Sequence, residues 1–88
     1  VDRNPGESLA ANNKANKPWY WEREPYSFGD CMKYEVGDDF GSVWDLGGRA
    51  SALILKSGRI DDLWVNPIDG LYGTASAKDI SHVIVCVD

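Results

Sequence analysis

From position 19 onward, hydrophobic and polar residues alternate in short runs, each cut by glycine, proline or aspartate. Alternation of period two over four to eight residues is the pattern of half-buried strands. WYWERE (19–24) places Trp19 and Trp21 on one face and Tyr20 and Glu22 on the other, before Pro25 limits the run. CMKYEV (31–36) sets Met32, Tyr34 and Val36 against Cys31, Lys33 and Glu35. SVWDL (42–46) follows the GDDFG turn and ends at Gly47-Gly48. SALILK (51–56) is apolar on both faces, as a central strand should be, and DDLWVN (61–66) runs to Pro67. NPIDGLYGTASAKD reads as a long loop, and ISHVIVCV (80–87) as a closing, strongly apolar strand.

These spacings predict an all-β fold: a small antiparallel β-sandwich, or a partly open barrel, of five or six short strands. No amphipathic helix is predicted in it. Residues 1–18, VDRNPGESLAANNKANKP, offer almost nothing to bury and read as an extended polar leader. A short helix over residues 7–11 is conceivable but marginal at that length. The predicted organisation is a leader over 1–18 and one β-domain over 19–88.

At 88 residues the chain holds one domain with a thin core. The net charge of −5 is spread along the chain, and the nine cations never cluster, which argues against a nucleic-acid partner. The longest apolar run, Val83 to Val87, is five residues, far short of a membrane span. The first residue is Val rather than Met, which reads as a processed or trimmed chain and fits export.

Cys31 and Cys86 allow one pairing. Either they bridge or they are two buried thiols. A bridge would close a loop of about 55 residues, worth roughly 4 kcal/mol in loop-closure entropy, and would suit a secreted protein. A zinc site is not expected, because His82 alone would leave the set one ligand short. No cofactor is expected.

From Ala50 onward the chain resembles a C-terminal module of secreted and cell-surface bacterial proteins, whose function is unassigned. The matching residues are Ala52-Leu53-Ile54-Leu55-Lys56-Ser57-Gly58, then Gly70-Leu71-Tyr72, then Ile80-Ser81-His82-Val83-Ile84-Val85-Cys86. Many such modules carry Gly where this chain has Ser57. The resemblance implies an extracellular β-domain and carries over no catalytic residue.

No catalytic grouping is expected. Ser81 and His82 point to opposite faces of a strand and cannot act as nucleophile and base. His82 shares its face with Ile80, Ile84 and Cys86 and reads as a structural histidine donating to a backbone carbonyl. The pairs Asp38-Asp39 and Asp61-Asp62 sit beside turns and read as solvated. Asp38, Asp39 and Asp69 are weak calcium candidates, since their loops lack the spacing of a known calcium loop.

The aromatic cluster Trp19, Tyr20, Trp21 and Tyr26 is the remaining candidate surface. On a strand, Trp19 and Trp21 would lie roughly 7 Å apart on one face, suited to successive sugar units, with Glu22, Arg23 and Glu24 beside them. The same rings could be core or an intersubunit seam, as Trp44 and Trp64 are expected to be core. The leading expectation is a non-enzymatic extracellular structural protein. It would self-associate with other copies, as a filament, surface layer or adhesive assembly, through its leader and the aromatic strand. The alternative is a carbohydrate-binding module that takes a polysaccharide on the aromatic platform.

Overall fold

A computed structural model describes residues 7–10, 12–36 and 40–88. Among them are seven strands in two antiparallel sheets, so the fold is all-β and has the layered form of a sandwich. The strands are β1 (Glu7–Ala10), β2 (Asp30–Glu35), β3 (Val43–Leu46), β4 (Ala52–Ser57), β5 (Ile60–Val65), β6 (Gly70–Gly73) and β7 (His82–Val87). A single 3-10 turn, Lys14–Asn16, and a short helix, α1 (Pro18–Glu22), lie between β1 and β2.

The large sheet has the order β1-β5-β4-β7-β2, and β3 pairs with β6 in the small one. β4 is its central strand because ALILKS is buried along almost its whole length. β4 and β5 form a hairpin in which Ser57 pairs with Ile60. Its two-residue loop opens with Gly58 at φ 59, the positive φ that tight hairpins need at this position.

Alternation divides the core in two. On one face Ala52, Ile54, Leu63, Ile84, Cys31 and Cys86 pack with Ala15 and Trp21, flanked by Leu9, Tyr20, Tyr26 and Phe28. On the other, Leu53, Leu55, Trp64 and Val83 pack with Leu46, Tyr72 and Ile80. The aromatic N-terminal segment covers the first face and the small sheet covers the second. Both faces of the large sheet are therefore buried around its central strand β4.

Cys31 and Cys86 form a disulfide across β2 and β7, where they are register partners. The Cys31 N–H turns away from β7 and donates to Glu22 Oε2 at 2.8 Å, so α1 covers part of the outer edge of β2. Gly29, at φ 100, sits against the end of β7, where an added Cβ would run into the Val87 carbonyl.

Four expectations need correction. Residues 7–18 are not a leader outside the domain, and residues 7–10 are not helical. β1 pairs along β5, Leu9 joins the first core and Ala15 is buried. Residues 1–6 lie outside the described set. WYWERE is not a strand: Pro18 stands at the first helical position, where its fixed φ and missing N–H favour a helix start. The long loop contains β6, whose four residues are held by pairing with β3. Asp61 and Asp62 lie inside β5 and are fully buried, because the turn is made by the two residues before Ile60.

Candidate functional site

The helical turn over 18–22 decides the fate of the aromatic cluster. Residues two apart on a helix point about 200° apart, so Trp19 and Trp21 cannot share a face. Trp21 is 1% exposed and donates from Nε1 to the Ala15 carbonyl at 2.9 Å. Trp19 is 40% exposed, with the Arg23 guanidinium 4.6 Å from its ring centroid. Tyr20 and Tyr26 are half-buried against Trp21, at centroid distances of 5.1 and 4.7 Å. The platform of Trp19 and Trp21 is thus replaced by an inward aromatic cluster and one outlying tryptophan.

An exposed aromatic surface exists elsewhere. Trp44, expected in the core, is only partly buried, whereas Trp64 is buried. The Trp44 ring centroid is 5.8 Å from both Tyr34 and Phe40, which are exposed. Met32, 61% exposed, and Val87 share the Tyr34 face of the large sheet, beyond the cover of the small one. This strip adjoins the outer edge of β2. There, beyond Cys31, the outward backbone groups of Lys33 and Glu35 have no neighbouring strand among the described residues. The alternation in CMKYEV signals the shared face of Met32 and Tyr34, but not that the small sheet stops short of it.

The first face carries a rung of charged residues across the sheet. Register places Glu35 on β2 opposite His82 on β7, His82 opposite Lys56 on β4, Lys56 opposite Asp61 on β5, and Asp61 opposite Leu9 on β1. Lys33 Nζ lies 3.0 Å from Glu35 Oε2, and this contact holds the Glu35 carboxyl below its ordinary range. His82 is buried rather than half-buried, and its Nε2 has no hydrogen-bond partner among the described residues. Burial pulls its pKa down to about 4, with the Lys33 and Lys56 charges acting the same way against Glu35.

Asp61 and Asp62 are neighbours with opposite surroundings. Asp62 accepts from Ser8 Oγ at 2.6 Å and from the Ala75 N–H at 3.0 Å, tying β1 and the loop after β6 to β5. Asp61 is 1% exposed and neither carboxylate oxygen has a hydrogen-bond partner among the described residues. Burial pushes its pKa up to about 6, the Lys56 charge opposes this, and Asp62 adds to it. It stands at a cavity of about 150 Å³ whose walls include Leu9, Ala15, Tyr20, Trp21 and Tyr26. Burial also raises the Tyr26 phenol, helped first by Tyr20 and, further down, by the Glu7 and Asp61 charges.

Among the described residues, no group of three or more His, Cys, Asp or Glu side chains is arranged to hold a metal ion. Asp69 is exposed in the segment before β6, and Asp38 and Asp39 lie outside the described residues. No helix among the described residues is long and apolar enough to cross a membrane.

No family model matches the chain, and no curated protein or solved structure is found to be similar to it.

Proposed function

We propose that this chain is a non-enzymatic extracellular module that self-associates, with the β2 edge and the strip Met32, Tyr34, Phe40, Trp44 and Val87 as its contact surface. The observation that carries the reading is that, among the described residues, an uncovered apolar strip lies beside an unpaired strand edge. A second copy can continue the sheet along Lys33 and Glu35 while burying the strip, since an open edge is a template for strand addition. The seam differs from the one expected from sequence: residues 7–10, Ala15 and Trp21 are occupied within the fold, and only Trp19 of the aromatic cluster remains well exposed. The disulfide supports an oxidising compartment, and the resemblance of residues 52–58 and 80–86 to secreted bacterial modules agrees with export.

Light scattering over a concentration series tests the reading. The wild type is expected to form dimers or larger species that Tyr34→Lys converts to monomers without loss of fold. A wild type that stays monomeric at millimolar concentration would refute it. A polysaccharide-binding reading is favoured by one separate observation, the run of three rings Tyr34, Trp44 and Phe40 at 5.8 Å spacings. It predicts saturable glycan binding by the monomer that Trp44→Ala removes.

A further inference from the structure

A buried carboxylate with both oxygens unpaired is costly, and structures normally supply a partner. Asp61 has none among the described residues. Its register partner Lys56 makes no ion pair with it within 4 Å; among the described residues the ion pair found within that distance is Lys33–Glu35. Lys56 instead lines a second, neighbouring cavity together with Asn12, Asn13, Asn16, Gly58 and Arg59. The cavity at Asp61 is large enough for more than water: about 150 Å³ is the size of an engineered cavity that holds a six-heavy-atom guest.

The walls narrow the chemistry of that guest. A lone carboxylate calls for a positive charge, and aromatic faces attract cations as well. Tyr20, Trp21 and Tyr26 supply three rings around the cavity, Leu9, Ala10 and Ala15 supply apolar wall, and Asn12 adds one polar side chain. A calcium ion would need six or more oxygen ligands, which the described residues do not gather here. Two unfilled carboxylate oxygens call for a cation with N–H donors, and the apolar walls for a short hydrocarbon tail.

We propose that the cavity bounded by Asp61, Tyr20, Trp21 and Tyr26 is a binding site for an alkylammonium group, the carboxylate accepting from the ammonium N–H groups and the rings enclosing the carbon chain. The free ammonium of a small amine and the side chain of an external lysine share this chemistry. The site is on the opposite face of the large sheet from the self-association strip and does not depend on it.

Titration of the full chain with n-butylammonium, followed by NMR of the Trp21 indole N–H, tests the proposal. Saturable binding is expected at pH 7.5, weakened more than tenfold by Asp61→Asn in a variant whose spectrum shows an intact fold. Tetramethylammonium, which has no N–H to donate, is expected to bind more weakly than butylammonium. Binding should also weaken by about tenfold between pH 7 and pH 5, because protonation of Asp61 removes the charge that recognises the ligand. Lys56, Asp62, Tyr20, Tyr26 and Glu7 are the other titratable groups acting around the cavity. Lys56→Met, which removes the nearest competing cation, should bind at least as tightly as the wild type. Comparison with Nα-acetyl-lysine amide separates the two sources: tighter binding of the lysine derivative indicates a protein partner, tighter binding of butylammonium a free amine. No saturable shift in the folded wild type, or binding that survives Asp61→Asn unchanged, would overturn the proposal. So would binding seen only in Lys56→Met, which would mean that the chain's own lysine fills the site.

Discussion

Asp61 and His82 make opposite demands on pH, and their opposition can be separated by mutation. The folded-state pKa of Asp61 is raised from 3.8 to about 6. The folded chain therefore holds this proton more tightly than the unfolded chain, and the contribution of Asp61 to stability falls as pH rises from about 4 to about 6. At about 1.36 kcal/mol per pH unit of displacement, the full loss is about 3 kcal/mol. His82 is lowered from 6.5 to about 4. Its unfolded form takes up the proton first, so its contribution is complete above about 6.5 and is lost as pH falls toward 4, again by about 3 kcal/mol. Across pH 4 to 6.5 the two slopes have opposite sign and nearly equal size.

Chemical denaturation at half-unit pH steps measures this directly, and the difference between variant and wild type cancels the ordinary carboxylates. Asp61→Asn removes the falling slope, so its stability relative to the wild type should increase with pH, by about 3 kcal/mol between pH 4 and pH 7. His82→Gln removes the rising slope, so its relative stability should increase as pH falls over the same window, by a similar amount. Lys56 and Asp62 are the charged groups that act on Asp61, and Lys33, Lys56 and Glu35 those that act on His82; neither variant alters them. Difference curves that are flat, or that slope the same way for both variants, would refute the burial argument for both groups.

Trp21→Ala should cost about 3–5 kcal/mol, since it empties a fully buried site and orphans the Ala15 carbonyl. Trp19→Ala should stay within about 1 kcal/mol, because its exposed cation–ring contact with Arg23 is worth about that much at most; urea unfolding of the pair gives the contrast. Reduction of the Cys31–Cys86 bridge, which spans a separation of 55 residues, should cost about 4 kcal/mol, read as a fall in the urea midpoint with added reductant.

Alternation located the strands that carry both faces of the core. SALILK became β4 and HVIVCV became β7 because each has apolar residues at successive positions and is buried on two sides. Alternation failed where pairing or packing, rather than side-chain pattern, makes the element. GLYG offers only Leu71 and Tyr72 between glycines, yet its ladder with β3 holds it as a strand. ESLA has one apolar core residue, Leu9, and exists as a strand because the outer edge of β5 receives it. WYW was ambiguous in principle, since five residues cannot separate a period of 2 from one of 3.6. The available signal was Pro18 at a helix start. The inward turn of the cluster then followed from the need of Trp21 to bury its ring and satisfy its indole N–H.

The Asp61-Asp62 pair shows what composition cannot reveal. The two residues are identical in type, adjacent in sequence and equally buried. Strand geometry sends them to opposite faces, and the faces differ in what they offer. Asp62 meets Ser8 and the Ala75 amide, so its charge is absorbed by the fold. Asp61 meets three aromatic rings and a cavity, and no described residue hydrogen-bonds to it. Had stability alone shaped position 61, an apolar residue would fill the space better, because an unpaired buried carboxylate costs several kcal/mol relative to a packed side chain. A strand residue that opposes stability while facing a cavity has the character of a binding group. The stability gain expected for Asp61→Asn at neutral pH and the ligand loss expected for the same variant are therefore two readings of one arrangement. An alkylammonium that binds Asp61 must also stabilise the wild type, and only above the pH at which the carboxylate ionises.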